Sequence, residues 1–125
     1  MAKKDDRPID VGLASLQAKD EATLVEWWVQ RMGLIAAIPS EIARVGAMTP
    51  QLRELTRVDD AERERLTRAR LIAFARMPAD QRDRIAAARK EAWNVDRAVL
   101  EKDQALVDKL LPGLDANVRS AYPAP

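Results

Sequence analysis

Apolar residues between positions 23 and 38 do not keep to one face of a helix. Set at about 100° per residue, Trp27, Leu34, Ile38, Leu24, Ile35, Trp28, Met32, Val25 and Val29 sweep an arc of roughly 220°. Only Glu26, Gln30, Gly33 and Ala37 mark the opposite side. A surface helix needs an apolar stripe of about 100°, so this segment is predicted to be packed from at least two directions, by its own domain, by another chain, or by both.

The remaining pattern reads as further helices separated by proline, glycine and capping residues. Asp20 is an N-cap with Glu21 in the first turn, where a negative charge suits the helix dipole, so the first long helix is predicted over 20–38. Pro39 lacks a backbone donor and stops or kinks that helix, and Ser40 is placed to cap a short helix over 41–45 that Gly46 ends. Thr49 followed by Pro50 reads as an N-cap with proline in the first helical position, which predicts a second short helix carrying Leu52 and Leu55 to about residue 57. Asp59 or Asp60 caps a long helix reaching Arg76 or Met77. Pro78 interrupts, and a helix over 79–93 carries Ile85, Ala88, Ala92 and Trp93. Asn94 and Val95 form a break, Asp96 caps the last long helix, and Leu111 ends it before Pro112 and Gly113. Asp115 is placed to cap one more turn, and upstream Leu13 and Leu16 share a side of a short amphipathic turn.

These elements predict an all-α fold, an irregular antiparallel bundle of four substantial helices plus two or three short ones. Residues 1–10 are expected to be a flexible arm, 11–121 a single helical domain and 122–125 a C-terminal tail. The expected core comprises Leu24, Trp28, Met32, Ile35, Ile42, Leu52, Leu55, Leu66 and Ala69. It continues with Ala73, Phe74, Met77, Ile85, Ala88, Val99, Leu106, Val107 and Leu110.

Composition narrows the chemistry. The chain has 125 residues, 33% of them charged and only 4% aromatic, and it contains neither cysteine nor histidine. There is no disulfide framework, no thiolate nucleophile, no His–metal motif and no imidazole for acid–base work near neutral pH. Ser15, Ser40 and Ser120 lack a histidine base, and the four glycines form no phosphate-cradling loop. No metal or cofactor is expected and the protein is expected not to be an enzyme, chemistry run by carboxylates alone being the route left open. The charged residues at the N-terminus are followed by no apolar stretch, so no secretory signal is expected. The longest apolar run, over 32–38, falls far short of the ~20 residues that span a bilayer. A cytoplasmic location is the expectation.

Two charges lie inside apolar arcs. Arg31 falls among Leu24, Trp27, Ile35 and Ile38, and Asp103 projects from the face formed by Val99, Leu106, Leu110 and Val107. Because buried charges need partners, an interhelical ion pair between Arg31 and Asp103 is predicted as one solution, the other being that each charge snorkels to the edge of its face or bonds to a nearby backbone group or to other charges. Trp27 and Trp28 point about 100° apart, so either one packs in the core with the other at its rim or at an interface, or both lie in the core of a helix buried all round. Trp93, on a helix of mostly small and charged residues, either covers a neighbouring helix or faces outward.

The leading expectation is a non-enzymatic protein-interaction module, a self-associating protein or a subunit of a larger assembly, meeting its partner through Trp27, Arg31, Leu34, Ile38 and Trp93. A nucleic-acid-binding alternative rests on residues 53–97, where twelve Arg or Lys face nine Asp or Glu, with Arg63, Arg65 and Arg68 as contacts. Against it stand Asp59, Asp60, Glu62 and Glu64, which crowd the turns that would face phosphates, and a net charge of only +1. A small-molecule pocket among the Trp and Met side chains is the third expectation.

Overall fold

The computed structural model describes residues 13–16 and 19–122, so the predicted arm over 1–10 and all but the first residue of the predicted tail lie outside the described residues. Among the described residues there is no strand, and five helices of 14 to 17 residues pack together as an all-α bundle. A 3-10 turn, Leu13–Leu16, precedes α1, Glu21–Ala36. Then follow α2, Glu41–Leu55; α3, Asp60–Arg76; α4, Ala79–Val95; and α5, Arg97–Leu110. A second 3-10 turn, Leu111–Gly113, leads to the short α6, Ala116–Ala121.

Four of the expected caps form, whereas Thr49 lies inside a helix and Asp115 precedes α6 without a side-chain bond to it. The side chains of Asp20, Ser40, Asp59 and Asp96 accept from the backbone N–H groups of Thr23, Ala43, Glu62 and Val99, at 2.9, 3.3, 2.9 and 3.3 Å. Helix α1 stops at Ala36 because the residue before a proline avoids the helical region, and Ile38 precedes Pro39. α4 runs through Asn94 to Val95, so the break there is a single residue, Asp96.

The largest departure is α2. The break predicted at Gly46 is not there: the two expected short helices are one 15-residue helix with Pro50 inside it. A mid-helix proline removes one ladder hydrogen bond and crowds the carbonyl four residues back, at about 3 kcal/mol or more. Val45, Met48, Thr49, Gln51, Leu52 and Leu55 are buried across the would-be break, and their packing offsets that penalty. The carbonyl deprived of its donor belongs to Gly46, which is solvent-exposed and can be hydrated. Ile42, expected in the core, is 86% exposed instead. It shares a side of α2 with Val45, Gly46 and Thr49, at the rim of the groove between α2 and α4, where its four-residue partner is the exposed Gly46.

α1 packs chiefly on α3 and also meets α4 and α2, whereas α2 packs chiefly on α4 and α5 reaches both α3 and α4. The wide arc of α1 is thereby enclosed largely by this chain: Leu24, Val25, Trp28, Met32, Ile35 and Ala36 are all buried. Most of the remaining predicted core is buried as expected, with Val99 and Leu110 only partly covered. Tyr122, assigned by sequence to the tail, packs edge-on against Phe74 with ring centroids 5.5 Å apart. A smaller cluster of Leu71, Val107, Leu114 and Val118 fastens the C-terminal segment to α3 and α5.

Candidate functional site

α3, α4 and α5 each place one charged side chain into the interior. Arg70 lies among Leu66, Ala69, Ala73 and Phe74 on the buried side of α3, and Arg89 lies between Ile85 and Ala92 on α4. Both converge on Asp103 of α5. Arg70 Nη2 donates to Asp103 Oδ1 and Oδ2 at 3.0 and 2.8 Å, and Arg89 Nη1 donates to Oδ2 at 2.6 Å. Arg89 Nη2 also donates to Gln104 Oε1 at 3.0 Å. One carboxylate thus ties three helices together.

Burial would push the Asp103 carboxyl upward, but the positive charges of Arg70 and Arg89, with the hydrogen bonds they donate, outweigh it and hold the group below the ordinary carboxylate range. Burial likewise works against the Arg70 charge, and Asp103 reverses it, leaving the guanidinium more firmly protonated than usual. Burial raises the Tyr122 phenol even against the pull of Arg89 and Arg70, so it is neutral wherever the protein is folded near neutral pH. The cluster therefore carries two guanidinium charges and one carboxylate charge.

Beside it lies a cavity of about 60 Å³. Arg70, Arg89, Gln51, Tyr122 and Trp28 supply its polar groups, and Met32, Met48, Leu52, Phe74 and Ile85 are among the apolar residues that line it. Arg70 Nη1 and Trp28 Nε1 are buried with no hydrogen-bond partner among the described residues.

The predicted site residues divide between inside and outside. Arg31 and Asp103 are both buried as charges within apolar faces, but the pairing expected between them is replaced. Asp103 takes its partners from α3 and α4, while Arg31 donates to Gln51 Oε1 of α2 and lies 4.6 Å over the ring of Trp27. Arg31 is thus placed inside the molecule rather than on the surface expected to meet a partner. Trp28 enters the core, and Trp27 is partly buried at its rim, edge-on to Trp28 at 4.9 Å. Trp93 and Ile38 are also partly buried, and Leu34 is half exposed. Arg63, Arg65 and Arg68 are held by acids: Asp60 at 3.3 Å, Glu62 at 2.8 Å and Glu21 at 2.8 Å. Arg65 also donates to the backbone carbonyls of Lys19 and Leu16.

Sequence reasoning missed Arg70 and Arg89, although the signal that exposed Arg31 and Asp103 applies to them. Each stands three or four residues from apolar positions on both sides, and both were absorbed into the net charge of the central segment instead.

A second feature lies on the outside, a groove of about 370 Å³ between α2 and α4. Ile42 and Val95 form its two lips, with Val45, Gly46, Thr49 and Pro50 along it, and Val95 is 55% exposed. A methyl group added at Gly46 would meet nothing within 4 Å, so the groove is open at that point.

Fold and site together define a small all-α bundle with a buried Arg–Asp–Arg cluster and an exposed apolar groove. No family model, curated protein or solved structure matches this chain. Among the described residues, no helix is long and apolar enough to cross a membrane, and no group of three or more acidic side chains is arranged to hold a metal ion.

Proposed function

We propose that this chain is a helical protein-interaction module that self-associates through the outer face of α2. The observation that carries the reading is Ile42, a large apolar side chain 86% exposed and one helical turn from the open position at Gly46. Residues four apart lie on one face of a helix, so two copies of α2 set antiparallel across a two-fold axis would bring each Ile42 over the partner's Gly46. Full burial of an isoleucine side chain stabilises by about 1.5–3 kcal/mol, and the symmetric contact makes that gain twice, with Val95 adding apolar area beside it. Leu34, from the face of α1 expected to meet a partner, is a second and smaller exposed apolar position. The engagement of Arg63, Arg65 and Arg68 by acids favours a protein partner over a nucleic acid, because phosphate contacts would have to displace those acids.

Light scattering coupled to size exclusion across a hundredfold concentration range tests this. The parent chain is expected to reach a dimeric mass, and Ile42→Asp to stay monomeric. Gly46→Leu fills the receiving position and should also abolish the dimer, although leucine in place of a mid-helix glycine stabilises the fold by ~0.5–1 kcal/mol. A parent chain that remains monomeric at the highest concentration overturns the proposal.

A further inference from the structure

Ile42, Gly46, Pro50 and Glu54 stand four residues apart on α2 and so form one row along the helix. The groove between α2 and α4 is lined by the first three, and a second groove is lined by Pro50, Glu54 and Leu13. The two meet at Pro50, making one path from Ile42 to Leu13. Leu13 is 1% exposed, and its backbone N–H donates to Glu54 Oε2 at 3.4 Å. The chain that precedes Leu13 therefore joins the fold at the end of this path.

Spacing matches that segment to the row. An extended chain advances about 6.6 Å for every two residues, and a helix about 6 Å for every four. Counting back from Leu13 at Glu54, Val11 falls at Pro50, Ile9 at Gly46 and Arg7 at Ile42, next to the exposed Glu41. Side chains two apart in an extended chain share a side, so Ile9 and Val11 can face the groove together while Asp10 faces water. Space is there for Ile9, since a methyl group at Gly46 would meet nothing within 4 Å and Ile42 and Val95 stand on either side. Pro50 has no N–H, so the Gly46 carbonyl lacks its ladder donor, and the backbone of a segment passing over it can supply one. We propose that residues 7–12 lie extended along this row of their own chain, Ile9 over Gly46 and Val11 over Pro50, and compete there with a second copy. The competition rests on the self-association proposed above, whereas the contact itself does not.

Two apolar side chains set against the ordering of a short segment give a contact near balance, helped by the tether at Leu13. With the segment docked in about two-thirds of molecules, about one-third of each copy is free to associate, and because a dimer needs two copies its formation is weakened about ninefold.

The chain has no cysteine, so a nitroxide can be attached at Asp6→Cys alone and its effect on the backbone amides followed by NMR in dilute, monomeric solution. The resonances of Ile42 and Gly46 should broaden more than those of α6, which packs on α3. Ile9→Asp combined with Val11→Asp should remove that excess, and without the label the same pair of substitutions should lower the concentration midpoint of dimer formation about tenfold. Neither residue belongs to a described helix, and an unchanged circular dichroism spectrum checks that the fold is intact. Broadening at Ile42 and Gly46 no stronger than at α6, or undiminished by the double substitution, overturns the contact. So does broadening that passes only from a nitroxide-labelled copy to a separate, isotope-labelled one, because the segment then lies on the partner. A contact that is seen while the dimer midpoint stays where it was overturns the competition. If no dimer forms at any concentration, the self-association reading fails with the competition that rests on it, and the broadening still decides the contact.

Discussion

Asp103 and Glu21 each hold an arginine of α3 at 2.8 Å, Arg70 in the first case and Arg68 in the second, but Asp103 is 3% exposed and Glu21 46%. Near-identical geometry therefore has different consequences. At the surface both ions remain largely hydrated, Coulomb attraction is screened, and such a pair contributes about 0–1 kcal/mol. In the interior all three members of the Arg70–Asp103–Arg89 cluster have lost water, so each depends on the others to offset that loss. The buried cluster is better regarded as an obligate unit, whose formation adds little net stability and whose disruption is severe. The peripheral pairs Arg68–Glu21, Arg76–Glu26 and Lys109–Glu64 are separable additions.

The sharpest way to expose that difference is to remove one member of the cluster. Asp103→Asn leaves two guanidinium groups buried together without a counter-charge and should destabilise the fold by about 3–5 kcal/mol, read as a fall in the urea midpoint with an unchanged slope. Replacing all three charges by apolar side chains of similar size, Arg70→Met, Arg89→Met and Asp103→Leu, should recover most of that loss. A triple variant as unstable as Asp103→Asn would mean that the cluster makes a net contribution after all.

Acid titration separates the regions next. The Asp103 carboxyl is depressed in the folded chain relative to its ordinary value of 3.8, so its contribution is complete above that value and is lost as pH falls below it toward the folded one. Stability should therefore drop with falling pH beginning near pH 4. Asp20 and Asp96 are also depressed, the first by its bond from Thr23 and the second chiefly by its bond from Arg53, so part of the slope belongs to the helix caps. Asp103→Asn should show a shallower acid slope than the parent chain.

The same contrast governs how much of the molecule could be read from its residues. Capping side chains act locally, within three residues, so Asp20, Ser40, Asp59 and Asp96 announced their helices correctly. Prolines at 39 and 78 did likewise. Pro50 misled because its local penalty is outweighed by six buried neighbours on α2, and contacts with α4 are invisible to a window of ten residues. Arg31 and Asp103 were recognisable as charges inside apolar arcs, yet their partners were not, since pairing depends on which helices meet. α5 packs on α3 and α4 more than on α1, which gives Asp103 to Arg70 and Arg89. The expectation of a Trp and Met pocket did name residue types found at the cavity, Trp28, Met32 and Met48, without the arginines that give it its charge.

The smallest expected effect completes the contrast at the surface. Glu21→Gln removes the charge facing Arg68 without changing the size of the side chain, but it also takes a negative charge from the first turn of α1, where the helix dipole favours one. Both losses are exposed, and together they should lower stability by no more than about 1 kcal/mol at low salt. Because ions screen both terms over a Debye length of about 8–10 Å, the difference between Glu21→Gln and the parent should shrink further in 1 M NaCl. The deficit of Asp103→Asn should persist there, since its uncompensated charges lie where salt does not reach. Urea midpoints of the two variants and the parent at low and high salt check this, and equal salt sensitivity would mean that the interior cluster is more hydrated than its 3% exposure at Asp103 implies.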